Sequence, residues 1–319
     1  MVRFIEWAAV LAVGAVLGGC VDPDTGVGQG SSTGWTGTAS SGGGDGLEGS
    51  LDGVGVDETG VDPPAERSFF IAESMDFTNN GCIGTDVNDV TSTFRDALID
   101  DGWVGTHAVE GQTAPSHFID PMKKPFGLDA WAGDSTPLAV YAGHGWMDFI
   151  HWGTADDSPG VPRNKRCKVK FSDDVRLGAM AGGWAKAVVL MTSCTGRLAC
   201  YESSLATSDT TQTFAFNNSP RIWGNAARWF YRKSKHMANR YAWLEAMDDR
   251  PGLGKNSPVV YTRAMNRPDA LAIHRAARLA DIELIPSANG TTWYAYTWVD
   301  HGLRGKCSPV PEECEGVDD

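Results

Sequence analysis

Two short segments that are apolar at almost every position, "PLAVYAG" (137–143) and "AKAVVLMTS" (185–193), most constrain what this chain can fold into. A strand with no polar face must be covered on both sides, as the central strands of parallel sheets are. The surrounding sequence supplies the covering elements. "SFFIAES" (68–74) predicts an earlier buried strand, and "TDVNDVTSTFRDALIDDG" (85–102) predicts a helix with Val87, Val90, Phe94 and Leu98 on one stripe. Thr85 or Asp86 is its expected cap and Gly102 its stop. Prolines 115, 121 and 125 break any long element between 104 and 136. Downstream, "NAARWFYRKSKHMANRYAWLEAM" (225–247) predicts one helix carrying Ala227, Phe230, Met237, Tyr241 and Leu244. "PVVYTRA" (258–264) and "TTWYAYTWV" (291–299) predict strands on either side of the helix "RPDALAIHRAARLA", which has Pro268 in its first turn. Strands alternating with helices define an α/β class, a mostly parallel sheet with helices on both faces. In such sheets function gathers at the carboxyl ends of the strands, where His144 and Cys194 fall.

The ends of the chain have a different character. Residues 21–66 hold nine acidic and no basic side chains, and are rich in Gly, Ser, Thr and Asp. They offer too little apolar surface to offset the entropy of ordering, and are expected to form a flexible tether. "DPDTG" within it lacks the ligands of a calcium loop and is assigned no metal. The last eight residues, "EECEGVDD", add five acids, so the net charge of −13 belongs to the ends; residues 67–311 carry 25 acids against 26 bases. A near-neutral folded part does not point to nucleic acid as a partner. The start, with Arg3 followed by "AAVLAVGAVL", reads as an export signal too short to anchor permanently.

The signal ends in Leu17-Gly18-Gly19-Cys20, which resembles the lipobox of bacterial lipoproteins. That resemblance implies a signal peptide over 1–19, a lipidated Cys20, a tether over 20–66 and residence in the bacterial cell envelope. Val21 in place of Asp favours the outer membrane. Six cysteines then remain for an oxidising compartment: Cys82, Cys167, Cys194, Cys200, Cys307 and Cys314. Cys307 and Cys314 bracket the Pro-rich start of an acidic tail, 307–319, and are expected to clip it. If all six pair, 194–200, 82–167 and 307–314 is the tidy set; if Cys194 stays reduced, one other cysteine is left over.

The sequence around the first apolar segment raises the functional question. His144 stands between Gly143 and Gly145 at the strand tip, and about fifty residues later the second apolar strand ends in Ser193-Cys194. This pattern resembles the caspase-like cysteine peptidases, the group of caspases, gingipains, legumains and clostripain. The resemblance implies a three-layer sandwich over 67–306. It also implies a general acid/base at His144, a nucleophile at Cys194, and an oxyanion hole from the backbone amides of Gly145 and Cys194. A thiolate needs a base or positive neighbour, and adjacent parallel tips lie about 5 Å apart, so both side chains could serve one substrate. Asp148 is a candidate to orient His144 or to read a basic side chain, against a role as a solvated loop carboxylate. Ser193 departs from the Ala or Asp common in the family. Uncharacterised exported bacterial domains with similar strand ends also fit the pattern.

Rival constellations are weaker. His144, Asp148 and His151 have helical spacing for zinc, but the glycines argue against a helix there, and no metal or other cofactor is assigned. "TWVDHG" repeats the strand-then-His-Gly pattern and makes His301 the runner-up to His144. "RNKRCKVK" (163–170) reads as a solvated basic hairpin or, in a caspase-like enzyme, a self-processing segment. The expected function is therefore a tethered Cys–His hydrolase acting on a peptide or protein through a thioacyl-enzyme. The alternative is an inactive binding or structural module with Cys194 in a disulfide.

Overall fold

The computed structural model describes residues 26–29, 64–77, 82, 84–178, 182–198, 209–250, 254–288 and 293–302. Cys20, Cys200, Cys307 and Cys314 lie outside the described residues, as does most of the tether. The elements are β1 (Ser68–Glu73), α1 (Ser92–Asp100), β2 (Val104–Val109), β3 (Leu138–Ala142), β4 (His144–Trp146), β5 (Phe149–His151), β6 (Lys168–Lys170) and β7 (Ala187–Met191). They continue with β8 (Gln212–Phe216), α2 (Ala226–Ser234), α3 (Asn239–Met247), β9 (Pro258–Ala264), α4 (Arg267–Ala276) and β10 (Trp293–Trp298). Among the described residues no helix is long and apolar enough to cross a membrane.

Seven strands form the main sheet in the order β10-β9-β8-β7-β3-β1-β2. β2, β1, β3, β7 and β8 are mutually parallel, and β9 and β10 run antiparallel to their neighbours. Gly26–Gln29, in the expected tether, pairs antiparallel with the outer edge of β10. The architecture is the α/β, mostly parallel class. β4, β5 and β6 form a separate small antiparallel sheet.

Side-chain alternation divides the core between two faces. Phe69, Ile71, Val140, Val189 and Phe214 pack under α1, α2 and α3 with Phe94, Phe230 and Trp243. Phe70, Tyr141, Val188 and Tyr261 point the other way and meet Phe118, Ile150, Trp152 and Phe171. Among the described residues this second layer is built from short 3-10 turns, the single helical turn Phe171–Asp174 and the small sheet.

Two helix boundaries differ from the sequence expectation. α1 starts at Ser92, because the buried Glu73 carboxylate takes the Val90 amide (2.8 Å) and the Thr91 hydroxyl (2.5 Å), while Asp89 takes the amides of Thr91 and Ser92. Residues 84–91 thus cross the end of the sheet as non-helical chain. The single helix expected over 225–247 is two, broken at 235–238. Asn239 makes the break: its amide nitrogen donates to Gln212 Oε1 (2.6 Å) and its Oδ1 accepts the Leu279 amide (2.5 Å), fixing α3 to the sheet.

Three buried titratable groups and the half-buried His151 set opposing pH responses. His274 is fully enclosed between the hydroxyls of Thr262 (2.9 Å) and Thr297 (2.7 Å), and burial lowers its pKa from 6.5 to about 3. His151 is lowered to about 4, by burial first and then by the charges of His144 and Lys168. Burial and then the neighbouring acids raise Asp129 from 3.8 to about 8, and burial raises Asp134 to about 7 against several backbone donors. An unfolded chain would protonate the histidines below pH 6.5 and ionise the two acids above pH 3.8, so between those limits the proton uptakes nearly cancel. Above 6.5 only the acids respond. A raised carboxyl pKa makes the folded state lose stability as pH rises toward 8. Urea melts are expected to show a plateau near pH 4.5–6.5, set by the shifts of these groups, then a fall to pH 8. Asp129→Asn should flatten most of that fall; an unchanged slope would show that Asp129 does not carry it.

Candidate active site

The register of β1, β3 and β7 brings Glu73, Ala142 and Met191 level at one edge. Beyond that edge opens a cleft of about 410 Å³, lined by Glu73, Val87, Val90, His144, Ser193 and Ser219 among others, with exposed Arg221 on its rim. The residues after β7 and the histidine after β3 therefore do meet at one cavity.

The glycines flanking His144 have packing causes. A side chain at Gly143, whose φ is +155°, would lie 2.4 Å from the Tyr141 hydroxyl, and one at Gly145 would lie 2.2 Å from Thr192 Oγ1. Tyr141 Oη occupies that space because it donates to the His151 carbonyl (2.5 Å) beneath the small sheet. Burial raises this phenol's pKa well above its ordinary value. His144 is not in a loop; it starts β4 and pairs with His151 across the hairpin.

The imidazole of His144 is held from two sides. Phe77 packs edge-on against it at 4.5 Å, and Nε2 donates to the Thr85 carbonyl at 2.5 Å. A carbonyl only accepts, so Nε2 carries the proton and Nδ1 of the neutral ring carries the lone pair. The segment bearing Thr85 is tied down by the Cys82–Cys167 disulfide, by Cys82 N–H on Gly153 O (3.1 Å) and by Trp152 N–H on Cys167 O (2.7 Å). This is one pair of the tidy set.

Cys194 occupies a different environment. It is fully buried, adopts φ +60°, and is disulfide-bonded. It is not among the residues lining the cleft. Its backbone N–H, one of the two expected oxyanion donors, is given to Asn218 O (3.2 Å). Asn218 also accepts the Ser257 amide (2.9 Å) and reaches the Gly302 carbonyl (3.4 Å), linking β7, β9 and the end of β10. The side chain at this tip that does line the cleft is Ser193, half-buried, with Oγ 3.0 Å from Ser219 Oγ.

The other sequence candidates are accounted for. Asp148 lies 3.5 Å from Lys170 Nζ in an ion pair. His301 is at the same edge but outside the cleft lining; its Nε2 pairs with Asp248 and its amide with Ser257 Oγ. The basic run folds into a 3-10 turn and β6, with Lys165 on Asp174 and Arg166 on Asp157. Among the described residues no group of three or more His, Cys, Asp or Glu side chains is placed to hold a metal ion.

Sequence reasoning missed Glu73, Thr85 and Ser219. Glu73 is the acid ending an apolar strand; besides Val90 and Thr91 it meets His107 Nε2 (3.3 Å), whose Nδ1 accepts from Arg95 (3.1 Å). An ionisable residue closing "SFFIAE" was the one available signal for it. No family model, curated protein or solved structure matches this chain.

Gly145→Ala drives a methyl against Thr192 and, at 3.0 Å, the Phe149 carbonyl, and is expected to cost about 2 kcal/mol in urea melts. Gly111→Ala, with nothing within 4 Å, should be near neutral. Equal costs at both positions would remove the packing explanation for the glycine after His144.

Proposed function

We propose that this chain is an envelope-tethered domain on a caspase-like scaffold whose carboxyl-edge cleft binds a peptide or protein ligand, with the Cys194 sulfur in a structural role. The carrying observation is the state of Cys194: buried, disulfide-bonded and outside the cleft lining. A disulfide sulfur is not a thiolate and cannot attack a carbonyl to form a thioacyl-enzyme. The cleft itself suits binding, because hydroxyls of Ser193 and Ser219 stand among Val87, Val90 and Ile222. Support for the scaffold is the order of elements, with His-Gly after β3 and Ser-Cys after the adjacent parallel β7. Support for the tether is the lipobox-like Leu17–Cys20 followed by the acidic, Gly/Ser-rich stretch.

One observation favours the thiol hydrolase as a second reading. His144 has its tautomer fixed by a backbone carbonyl, the arrangement a general base requires of its orienting partner. The two readings separate at one sulfur. Native protein treated with iodoacetamide without reductant is expected to show no adduct on Cys194 by peptide mass spectrometry. Stoichiometric labelling there, together with hydrolysis of thiol-protease substrates, would replace the binding reading by the hydrolase.

A further inference from the structure

The geometry points to Ser193 as an acyl-accepting nucleophile, with His144 as its base and a carboxylic ester with a short apolar acyl group as its substrate class. This goes beyond ligand binding, which needs no reactive hydroxyl, and is independent of the Cys194 sulfur.

Strand periodicity carries the first step. Along β3, Tyr141 packs on the small-sheet side and Ala142 on the helix side; along β7, Leu190 and Met191 do the same. Continuing that alternation sends Thr192 toward the small sheet, and there it meets Gly145. The same count along β7 sends Ser193 toward the helix side, where the cleft opens between β3, β7 and the 84–91 segment, and His144, at the start of β4 beyond Gly143, lines that cleft too. The start of β4 and the tip of β7 thus present an imidazole and a hydroxyl to one cavity, while the residue after the serine is buried in the turn.

Other groups of the cleft surround the two side chains. His144 keeps its proton at Nε2 on Thr85 O, so the lone pair that could receive a proton is on Nδ1. Ser193 Oγ is hydrogen-bonded to Ser219 Oγ at 3.0 Å, a contact that holds its rotamer and offers a hydroxyl path for the proton. Val87, Val90, Met191 and Ile222 give the cleft an apolar wall for an acyl chain, and Arg221 stands at its rim. In the reaction, Ser193 Oγ bonds to the acyl carbon as its proton passes to Nδ1. The ester C–O bond breaks and the departing alkoxide takes that proton. Water then gives its proton to Nδ1 and its oxygen to the acyl carbon, and the serine oxygen leaves and recovers the proton. Ester and water become acid and alcohol, with no oxidant, reductant or metal required.

The test uses the full chain, unreduced, with a biotin-tagged fluorophosphonate. A single phosphonyl adduct is expected on the 187–197 tryptic peptide, localised to Ser193. His144→Ala should slow labelling at least about 100-fold and Ser219→Ala about tenfold, at unchanged melting temperature. Ser193→Cys keeps the side chain's shape; it should lose the phosphonyl adduct and gain iodoacetamide reactivity at position 193. No adduct, an adduct on another residue, or wild-type labelling in His144→Ala would overturn the assignment. Labelling of Ser193 leaves the binding reading of the cleft to be judged separately, by the state of Cys194.

Discussion

The pairing of β3 with β7 is the constraint from which the site follows. Both strands are apolar on both faces, so each is forced to the middle of the sheet, and their level register, Ala142 opposite Met191, ends them together. Where two adjacent parallel strands stop at the same height, the chain turns away from the ladder and space opens above the sheet edge. The fold closes that space on one side with the 84–91 segment, held by Glu73 and the Cys82–Cys167 bridge, and on the other with the 219–222 loop. The cleft is thus built by the same burial that builds the core.

The two layers covering the sheet do different work. Three helices, α1, α2 and α3, bury Phe69, Ile71, Val140, Val189 and their neighbours on one face, an ordinary hydrophobic contact tolerant of changes that conserve volume. The opposite face is irregular and adds specific bonds to its own apolar cluster. Asp134 takes the amides of Gly178 and Ala185, Asp120 takes that of Met122, and Tyr141 reaches across to the small sheet. Asp129 and Asp120 each keep one buried oxygen without a hydrogen-bond partner, and burial, then the charges of Asp134 and Asp120, push Asp129 toward the protonated form. This layer holds the backbone of the glycine-flanked histidine through Tyr141, while the imidazole rests on the Phe77 ring and the Thr85 carbonyl.

Much of the sheet was legible in the sequence, because strands buried on both faces print continuous apolar runs. "SFFIAE", "LAVYA", "AVVLM" and "PVVYTRA" all became strands, with boundaries within a residue or two of the expected ones. β2 was not legible, since "VGTHAV" is an edge strand with exposed residues and no clean pattern. Helical periodicity over 85–91 was misleading: Val87 and Val90 are spaced for a helix, but a carboxylate from another strand captures the backbone first. At the site, the two strand tips were legible and their chemistry only in part. Resemblance selects Cys194, the residue that a family pattern makes conspicuous. Counting by twos from Met191 selects Ser193, and the cleft lining agrees with the count.

Backbone strain gives that edge a further distinction. Among the described residues only Glu110 and Cys194 are non-glycine residues at positive φ, +51° and +60°. Each such residue costs about 1–3 kcal/mol, and a sheet does not need them to form. Both lie just past the carboxyl ends of parallel strands, Glu110 after β2 and Cys194 after β7. Glu110 uses its unusual backbone to aim a carboxylate at the amides of Met75 and Asp76 (2.7 and 3.0 Å), steadying the chain that leads to Phe77. Phe77 is the ring against which His144 rests. Cys194 turns the chain sharply after Ser193, fixed by its amide on Asn218 and by Gly196, where a Cβ would fall 2.4 Å from Val259. One strained residue therefore supports the imidazole and the other presents the hydroxyl. Among the described residues, positive φ outside glycine is thus confined to two positions, one bracing the chain that leads to the ring behind His144 and one turning the chain after Ser193.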